Sequence, residues 1–216
     1  MELWLVRHGT TNANQEGRLQ GRIDFPLGPA GEKEAASLAY RLKKQPFSAF
    51  LSSSLLRARQ TAQIIERFRD KGPAPLYTPL LQEYHWGIIE GLTREEIKRA
   101  NPPLFRQLQE NFYQAHIPGA EGLQNLFVRV RFFYHFLSRL DRKEKFSQPV
   151  LVVGHGRFLH AFIIYFLKYN HWGSWPFSVF PASLTILEGD FAGKRRLKLF
   201  NDTCHLKGNP HCYRAP

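Results

Sequence analysis

Two histidines in this chain stand beside glycine directly after short apolar runs. His8 lies in Arg7-His8-Gly9 after residues 3–6, and His155 lies in Gly154-His155-Gly156 after residues 150–153. A neutral imidazole can act as nucleophile, base or metal ligand. Two arginines narrow the choice: Arg7 precedes His8, and Arg57 falls in Ser-Ser-Ser-Leu-Leu-Arg-Ala-Arg-Gln-Thr-Ala. A guanidinium offers a planar fork of donors that fits two phosphate oxygens. Phosphoryl transfer is mostly positioning and charge stabilisation, which histidine and arginine supply without a divalent cation. The sequence carries no P-loop, no aspartate-rich metal motif and no HExxH.

A leaving oxygen also needs a proton. The block Leu81-Gln82-Glu83-Tyr84-His85-Trp86-Gly87-Ile88-Ile89-Glu90-Gly91 offers Glu83 and Glu90. A general acid at neutral pH needs burial or nearby negative charge, such as the substrate phosphate, to hold its proton. Glu83, among Leu81, Tyr84 and Trp86, is a reasonable candidate, but residue types alone do not separate the pair.

The elements around these residues predict where they stand. Residues 3–6, 49–51 and 150–153 are short apolar runs ending in Gly or Ser, the mark of strands buried on both faces of a parallel sheet. Residues 184–187 and 197–200 read as later strands. Helical stripes run over 31–43 (Ala35, Leu38, Ala39, Leu42), over 55–68 (Ala58, Thr61, Ala62, Ile65, Phe68) and over 121–140 (Leu123, Leu126, Phe127, Val130, Tyr134, Leu137). Residues 156–167 are apolar nearly all round, as a helix packed on all sides is. Ser53 or Ser54 is expected to cap the helix at 55–68. Arg57 and Arg59 lie about 200° apart on that helix, so one faces the site and the other solvent. Alternating strands and helices predict an α/β three-layer sandwich, its mainly parallel central sheet flanked by helices. Residues 91–116, with Pro102-Pro103 between short helices, predict a small helical lobe. Ligands in such sheets bind beyond the carboxyl ends of the strands, where His8 and His155 both fall.

Composition excludes other classes. The 216 residues are 43% hydrophobic and 22% charged, and suffice for a core without disulfides. One domain is expected over residues 1–206, with 207–216 a flexible tail. Lys plus Arg is 30 against 18 for Asp plus Glu, a formal charge of +12. The basic residues are dispersed and accompany no nucleic-acid-binding signature, so the charge is read as surface charge that steers anions. The two cysteines, Cys204 and Cys212, fit a reducing, cytoplasmic setting. Cys204-His205 with His211-Cys212 matches no tetrahedral zinc spacing. The chain opens without an apolar leader, and its most apolar window, 158–167, is too short to span a bilayer.

Taken together, the segments resemble the histidine phosphatase superfamily, the phosphoglycerate mutase-like family, over most of the chain. Arg7-His8-Gly9-Thr10-Thr11-Asn12-Ala13-Asn14 is similar to its opening RHGxTxxN, and Arg18-Leu19-Gln20-Gly21-Arg22 to the phosphate loop that follows. The stretches around Arg57, Glu83 to Gly91, Val152 to Gly156 and Asn201-Asp202-Thr203-Cys204-His205-Leu206 resemble four further blocks in family order. The resemblance implies that His8 becomes phosphohistidine, that Arg7, Arg57 and His155 hold the phosphoryl oxygens, and that Glu83 donates the proton. It further implies that Asn14, Gln20, Gly21 and Gly156 complete the pocket and that neither metal nor cofactor is required. The chain departs from the pattern at Gly122, where a serine is usual, and at Gly156-Arg157, where a smaller pair is commoner. The segment after Glu90-Gly91 lacks the longer basic insertion of the mutases, which points to the phosphatase branch. The expected partner is a small phosphorylated metabolite, of the kind taken by broad-specificity or α-ribazole phosphate phosphatases, with neither nucleic acid nor membrane, and the expected state is monomer or homodimer. The alternatives are a cofactor-dependent phosphoglycerate mutase and a non-catalytic phospho-ligand-binding protein.

Overall fold

The first strand sets the pattern of the whole sheet. In β1 (Glu2–Arg7), Leu3 and Leu5 point to one face and Trp4 and Val6 to the other. The same alternation sorts β2 (Ala49–Ser53) and β4 (Val150–Gly154): Leu51, Val150 and Val152 join Leu3 and Leu5, while Phe50, Leu151 and Val153 join Val6. Both faces are therefore apolar, and both are covered. The structure, a computed structural model, describes residues 1–112, 115–169, 177–190 and 193–206. The six strands lie in the order β3-β2-β4-β1-β5-β6. Strands β3 (Leu76–Thr78), β2, β4 and β1 are mutually parallel. Strand β5 (Leu184–Gly189) runs against β1, and β6 (Arg195–Asp202) against β5. Only β5 opposes the common direction, so the sheet is mainly parallel, as the alternation of elements predicts.

A short helix, α1 (Asn12–Gln15), follows β1; helices α2 (Pro29–Leu42) and α3 (Leu56–Arg67) cover one face through Leu38, Leu42, Ala58, Ala62 and Ile65. Helices α6 (Gly122–Glu144) and α7 (Gly156–Leu167) cover the other through Val130, Phe133, Leu137, Phe158 and Phe162. The expected lobe is present as α4 (Arg94–Ala100) and α5 (Pro102–Asn111), and Ile97, Leu104 and Leu108 bury into the α6–α7 core. Thr93 and Glu96 close α4 with a reciprocal cap, and Asn101 caps α5 where Pro102 begins it.

Two expectations need correction, and one strand was not expected at all. Neither Ser53 nor Ser54 caps α3: Leu55 occupies the cap position, and the carboxylate of Asp24 accepts the first helical N–H, that of Leu56. Ser53 ends β2, and its hydroxyl accepts the Leu55 N–H at 3.2 Å while bonding His155. Strand β3 carries no signal in the sequence: it is three residues long and none of them is fully buried. Helix α6 runs a turn past the expected end, to a left-handed Lys145. The expected loose tail at 207–216 lies outside the described residues, as do Tyr113, Trp172, Trp175, His211 and Cys212. Among the described residues no helix is long and apolar enough to cross a membrane.

Candidate active site

Register brings the two histidines together. Arg7 lies opposite Gly154 across the β1–β4 pair, so the residues that follow, His8 and His155, leave the sheet side by side. Their rings are 5.1 Å apart, and both are buried. His8 Nδ1 is 2.7 Å from the Gly9 carbonyl. A carbonyl only accepts, so Nδ1 carries the proton and Nε2 keeps its lone pair. The Arg57 Nε–H points at that same Nε2 from 3.3 Å, which a bare nitrogen tolerates and a protonated one does not. Gly9 is needed where it stands, because a Cβ there would meet the Gly31 carbonyl of α2 at 2.5 Å. The Gly9 N–H donates to Thr61 Oγ1 at 3.2 Å, and the buried Glu34 accepts from the N–H and hydroxyl of Thr10 at 2.8 and 3.0 Å.

Arg57 is a fully buried arginine, 1% exposed. Its Nη2 donates to the Gly21 carbonyl at 2.7 Å and its Nη1 to that of Ile23 at 2.8 Å. One guanidinium therefore holds the 20–23 turn in place against the nucleophile. Arg59 is exposed and lies over the Tyr77 ring at 5.3 Å, the division the helical spacing predicts. Gly21 takes a positive φ of 51°, and a Cβ there would collide with the Glu90 side chain. Arg7 Nη1 donates to the Val179 carbonyl at 2.6 Å. His155 Nε2 meets the Ser53 hydroxyl at 2.8 Å, while its buried Nδ1 has no partner among the described residues.

These groups surround a cavity of about 450 Å³ whose lining includes Arg7, His8, Asn14, Gln20, Gly21, Arg57, Glu83 and Gly156. Asn14 uses its Oδ1 to accept from the N–H and hydroxyl of Thr11 at 3.0 and 3.1 Å, which leaves its amide N–H groups for the cavity. Gln20 Oε1 is buried without a partner among the described residues. Gly156 opens α7, so its N–H belongs to the first helical turn, where free donors favour anions. All of the site residues expected from the sequence line the cavity except His155, whose ring lies beside that of His8.

Geometry separates the two glutamates. Glu83 lines the cavity, its Oε2 accepting from Arg157 N at 3.2 Å and its Oε1 from Tyr84 N at 2.8 Å and Phe158 N at 3.2 Å. Glu90 is structural: its Oε1 accepts from Arg22 N and Trp86 N, each at 2.9 Å, and staples the phosphate loop to the loop at 83–90. Sequence reasoning missed Ser53, Thr61, Glu34 and Asp24. Thr61 and Ser53 show in the sequence only as a stripe position and a cap candidate; the partner that matters lies, for all four, across a gap in sequence.

Burial, then the charges of Arg57 and Arg7, hold His8 well below its ordinary value of 6.5. Burial, then Arg57, His8 and Arg7, do the same to His155. Burial also lowers Arg57, to about 10, which leaves it charged at neutral pH. Both histidines are thus neutral, as a nucleophile requires. Below pH 6.5 the unfolded chain binds protons that these imidazoles refuse in the folded state, so their contribution to stability is full above that value and lost as pH falls. The melting temperature of the empty protein is expected to fall between about pH 7.5 and about pH 5.5, and to fall less in saturating inorganic phosphate, whose charge favours the imidazolium. A midpoint that holds steady across this interval without phosphate would contradict the neutral assignment.

Fold and site together are those of an α/β phosphoryl-transfer protein with histidine and arginine at the carboxyl edge of its sheet. Residues 3–203 match the model of the histidine phosphatase superfamily (branch 1), and the chain belongs to that family. It is 30% identical over 206 residues to phosphoserine phosphatase 1 of Hydrogenobacter thermophilus, covering 95% of this chain and 94% of the relative. It is 36% identical over 158 residues to phosphoglycerate mutase-like protein 4 of Arabidopsis thaliana, covering 72% of this chain and 66% of that protein, just under two thirds of its length. The structure superposes on the α-ribazole phosphatase of Shigella flexneri with a TM-score of 0.82 at 26% identity, over 94% of this chain and 97% of that one.

Proposed function

We propose that the protein hydrolyses phosphomonoesters of small metabolites through a phosphohistidine on His8. One observation carries the reading: His8 commits Nδ1 to the Gly9 carbonyl and turns Nε2 to a cavity lined by Arg7, Arg57 and Glu83. His8 Nε2 attacks phosphorus, the ester P–O bond breaks, and Glu83 gives its proton to the departing oxygen. Water then attacks the phosphohistidine, the N–P bond breaks, and the Glu83 carboxylate takes the proton released by the water. Arg7, Arg57 and the Gly156 N–H hold the equatorial oxygens. If Ser53 donates its hydroxyl proton to His155 Nε2, the orphaned Nδ1 carries a proton for a phosphoryl oxygen. Arginine and helix N–H groups supply the positive charge, so turnover persists in excess chelator.

The outer cavity is aromatic and basic. Trp86, Phe177, His160 and Arg157 line it, with His160 stacked on Phe177 at 4.2 Å and the Arg157 guanidinium 5.4 Å over Trp86. This environment suits a leaving alcohol with a planar or anionic portion. The relatives named phosphoserine and α-ribazole phosphatases support the phosphatase reading over the mutase, as does the short passage of two residues from Gly91 to α4. The low count of two cysteines in the chain supports a cytoplasmic setting.

Glu83→Gln and Glu90→Gln distinguish the acid from the staple. Glu83→Gln is expected to slow an alkyl phosphate by about 10²–10⁴-fold and p-nitrophenyl phosphate far less, because nitrophenolate departs without a proton. Glu90→Gln should lower stability and slow both esters alike. Equal losses on the two esters for Glu83→Gln would remove it as the acid. Interconversion of phosphoglycerates in the presence of catalytic bisphosphoglycerate, without phosphate release, would replace hydrolase by mutase.

A further inference from the structure

Glu83 stands on a loop, between the short 3-10 turns Pro79–Leu81 and Gly87–Ile89, with no strand or helix to fix it. An acid that must meet a leaving oxygen needs its position set to a fraction of an ångström. The carboxyl end is held by the first N–H groups of α7. The main-chain end is held by a side chain on α6. Arg129 Nη1 donates to the Leu80 carbonyl at 3.0 Å and to that of Gln82, and its Nη2 donates to the carbonyl of Glu83 itself at 3.3 Å. The opposite edge of the guanidinium meets Glu121 in a two-pronged pair, Nε to Oε1 and Nη2 to Oε2, each at 2.8 Å. All five guanidinium N–H groups are thereby engaged.

We propose that Arg129, oriented by Glu121, is the positioning residue of the acid: it clamps the main chain at 80–83 and so sets where the Glu83 carboxyl stands over the cavity. The inference rests on the reading of Glu83 as the acid. Three features separate it from a surface ion pair. The side chains of Arg129 and Glu121 are only 12% and 8% exposed, so the pair is a buried link with every donor matched. The Arg129 guanidinium lies 5.0 Å over the ring of Phe158, whose own N–H donates to Glu83 Oε1 at 3.2 Å. Both ends of Glu83 are therefore referred to one rigid α6–α7 unit. Arg22 extends the link, with Nε to the Glu83 carbonyl at 3.4 Å and Nη2 to Glu121 Oε1 at 3.3 Å, while its N–H binds Glu90. The acid and the phosphate loop share one brace. Arg129 is not among the cavity-lining residues, so it acts through Glu83 and not on substrate. Lysine cannot replace it: an ammonium keeps the charge but not a planar fork reaching three carbonyls and a carboxylate.

The test is the dependence of rate on leaving group. Turnover of p-nitrophenyl phosphate and of an alkyl phosphate such as β-glycerophosphate is measured for wild type, Arg129→Lys, Glu121→Gln and Glu83→Gln, with melting temperatures recorded alongside. Arg129→Lys is expected to cut kcat for the alkyl ester about tenfold or more beyond any loss on the aryl ester, with KM for both nearly unchanged. Glu121→Gln, which preserves shape, should show the same selectivity to a smaller degree and carries the test if Arg129→Lys does not fold. Equal losses on both esters, or no loss on either, would overturn the inference even with melting temperatures lowered, since a packing role slows both alike. If Glu83→Gln itself fails to discriminate between the esters, it is the assignment of the acid that falls; discrimination by Glu83→Gln without it in Arg129→Lys and Glu121→Gln refutes the brace alone.

Discussion

His8→Ala is expected to reduce turnover of any phosphomonoester by on the order of 10⁴-fold or more, the scale of losing a nucleophile. The site offers no substitute. His155 lies beside His8 but directs Nε2 to the Ser53 hydroxyl, and Ser53 is itself buried. Rapid mixing with a labelled ester followed by alkaline quench should trap phosphate on the wild-type protein and none on His8→Ala, since phosphohistidine survives base and is lost in acid. The substitution removes an imidazole bonded to its own neighbour, Gly9, and to the Nε–H of Arg57, whose two terminal nitrogens keep their carbonyl partners, so circular dichroism should remain that of the wild type. Near-normal turnover by His8→Ala, or label retained on it, would end the phosphohistidine reading while leaving the family assignment intact.

The second large effect concerns Arg57. Arg57→Lys keeps the charge but loses the fork, and is expected to lower kcat/KM by about 10²–10³-fold, the cost of removing a preorganised donor from a developing phosphoryl charge. The structure gives a reason beyond charge. Arg57 faces His8 Nε2 with Nε and holds the Gly21 and Ile23 carbonyls with its two terminal nitrogens. An ammonium cannot span these three positions, so the phosphate loop loses its tie to α3 as the oxyanion loses its donor. Arg57→Ala leaves the Gly21 carbonyl unpaired, at roughly 1–3 kcal/mol if it stays out of water, while the Ile23 carbonyl keeps the Phe25 N–H at 3.1 Å; it should melt below Arg57→Lys. Activity of Arg57→Lys within tenfold of wild type would show that the fork is not the phosphate clamp. Arg59→Lys is the matching control and should be silent, because Arg59 is exposed.

Much of this site could be read before any coordinates. His8 and His155 follow short strands that are apolar on both faces, and a buried parallel strand delivers its next residue to the carboxyl edge of the sheet. The spacing of Arg57 and Arg59 required one to be buried, and Arg57 is. Glu83 and Glu90 were not separable, since they share one irregular block and differ only in which way the loop turns them. Strand β3 left no trace, because three partly exposed residues make no periodic signal and pair only once β2 is in place.

Local sequence specifies the elements that alternate across a buried sheet, the two histidines at its edge and the types of group around them. It does so because side-chain period, glycine and chain order are local properties. The tertiary structure alone decided that Asp24 caps α3, that Ser53 serves His155, that Glu34 holds Thr10, and that Arg129 reaches back 46 residues to the Glu83 carbonyl. Each of these is a polar group satisfied by a partner distant in sequence. Desolvation makes such pairing obligatory, but only the packing of α6 and α7 on the sheet determines which partner is within reach. That is why the groups around His8 can be named from segments spread along the chain, while the brace behind its acid is visible only in the fold.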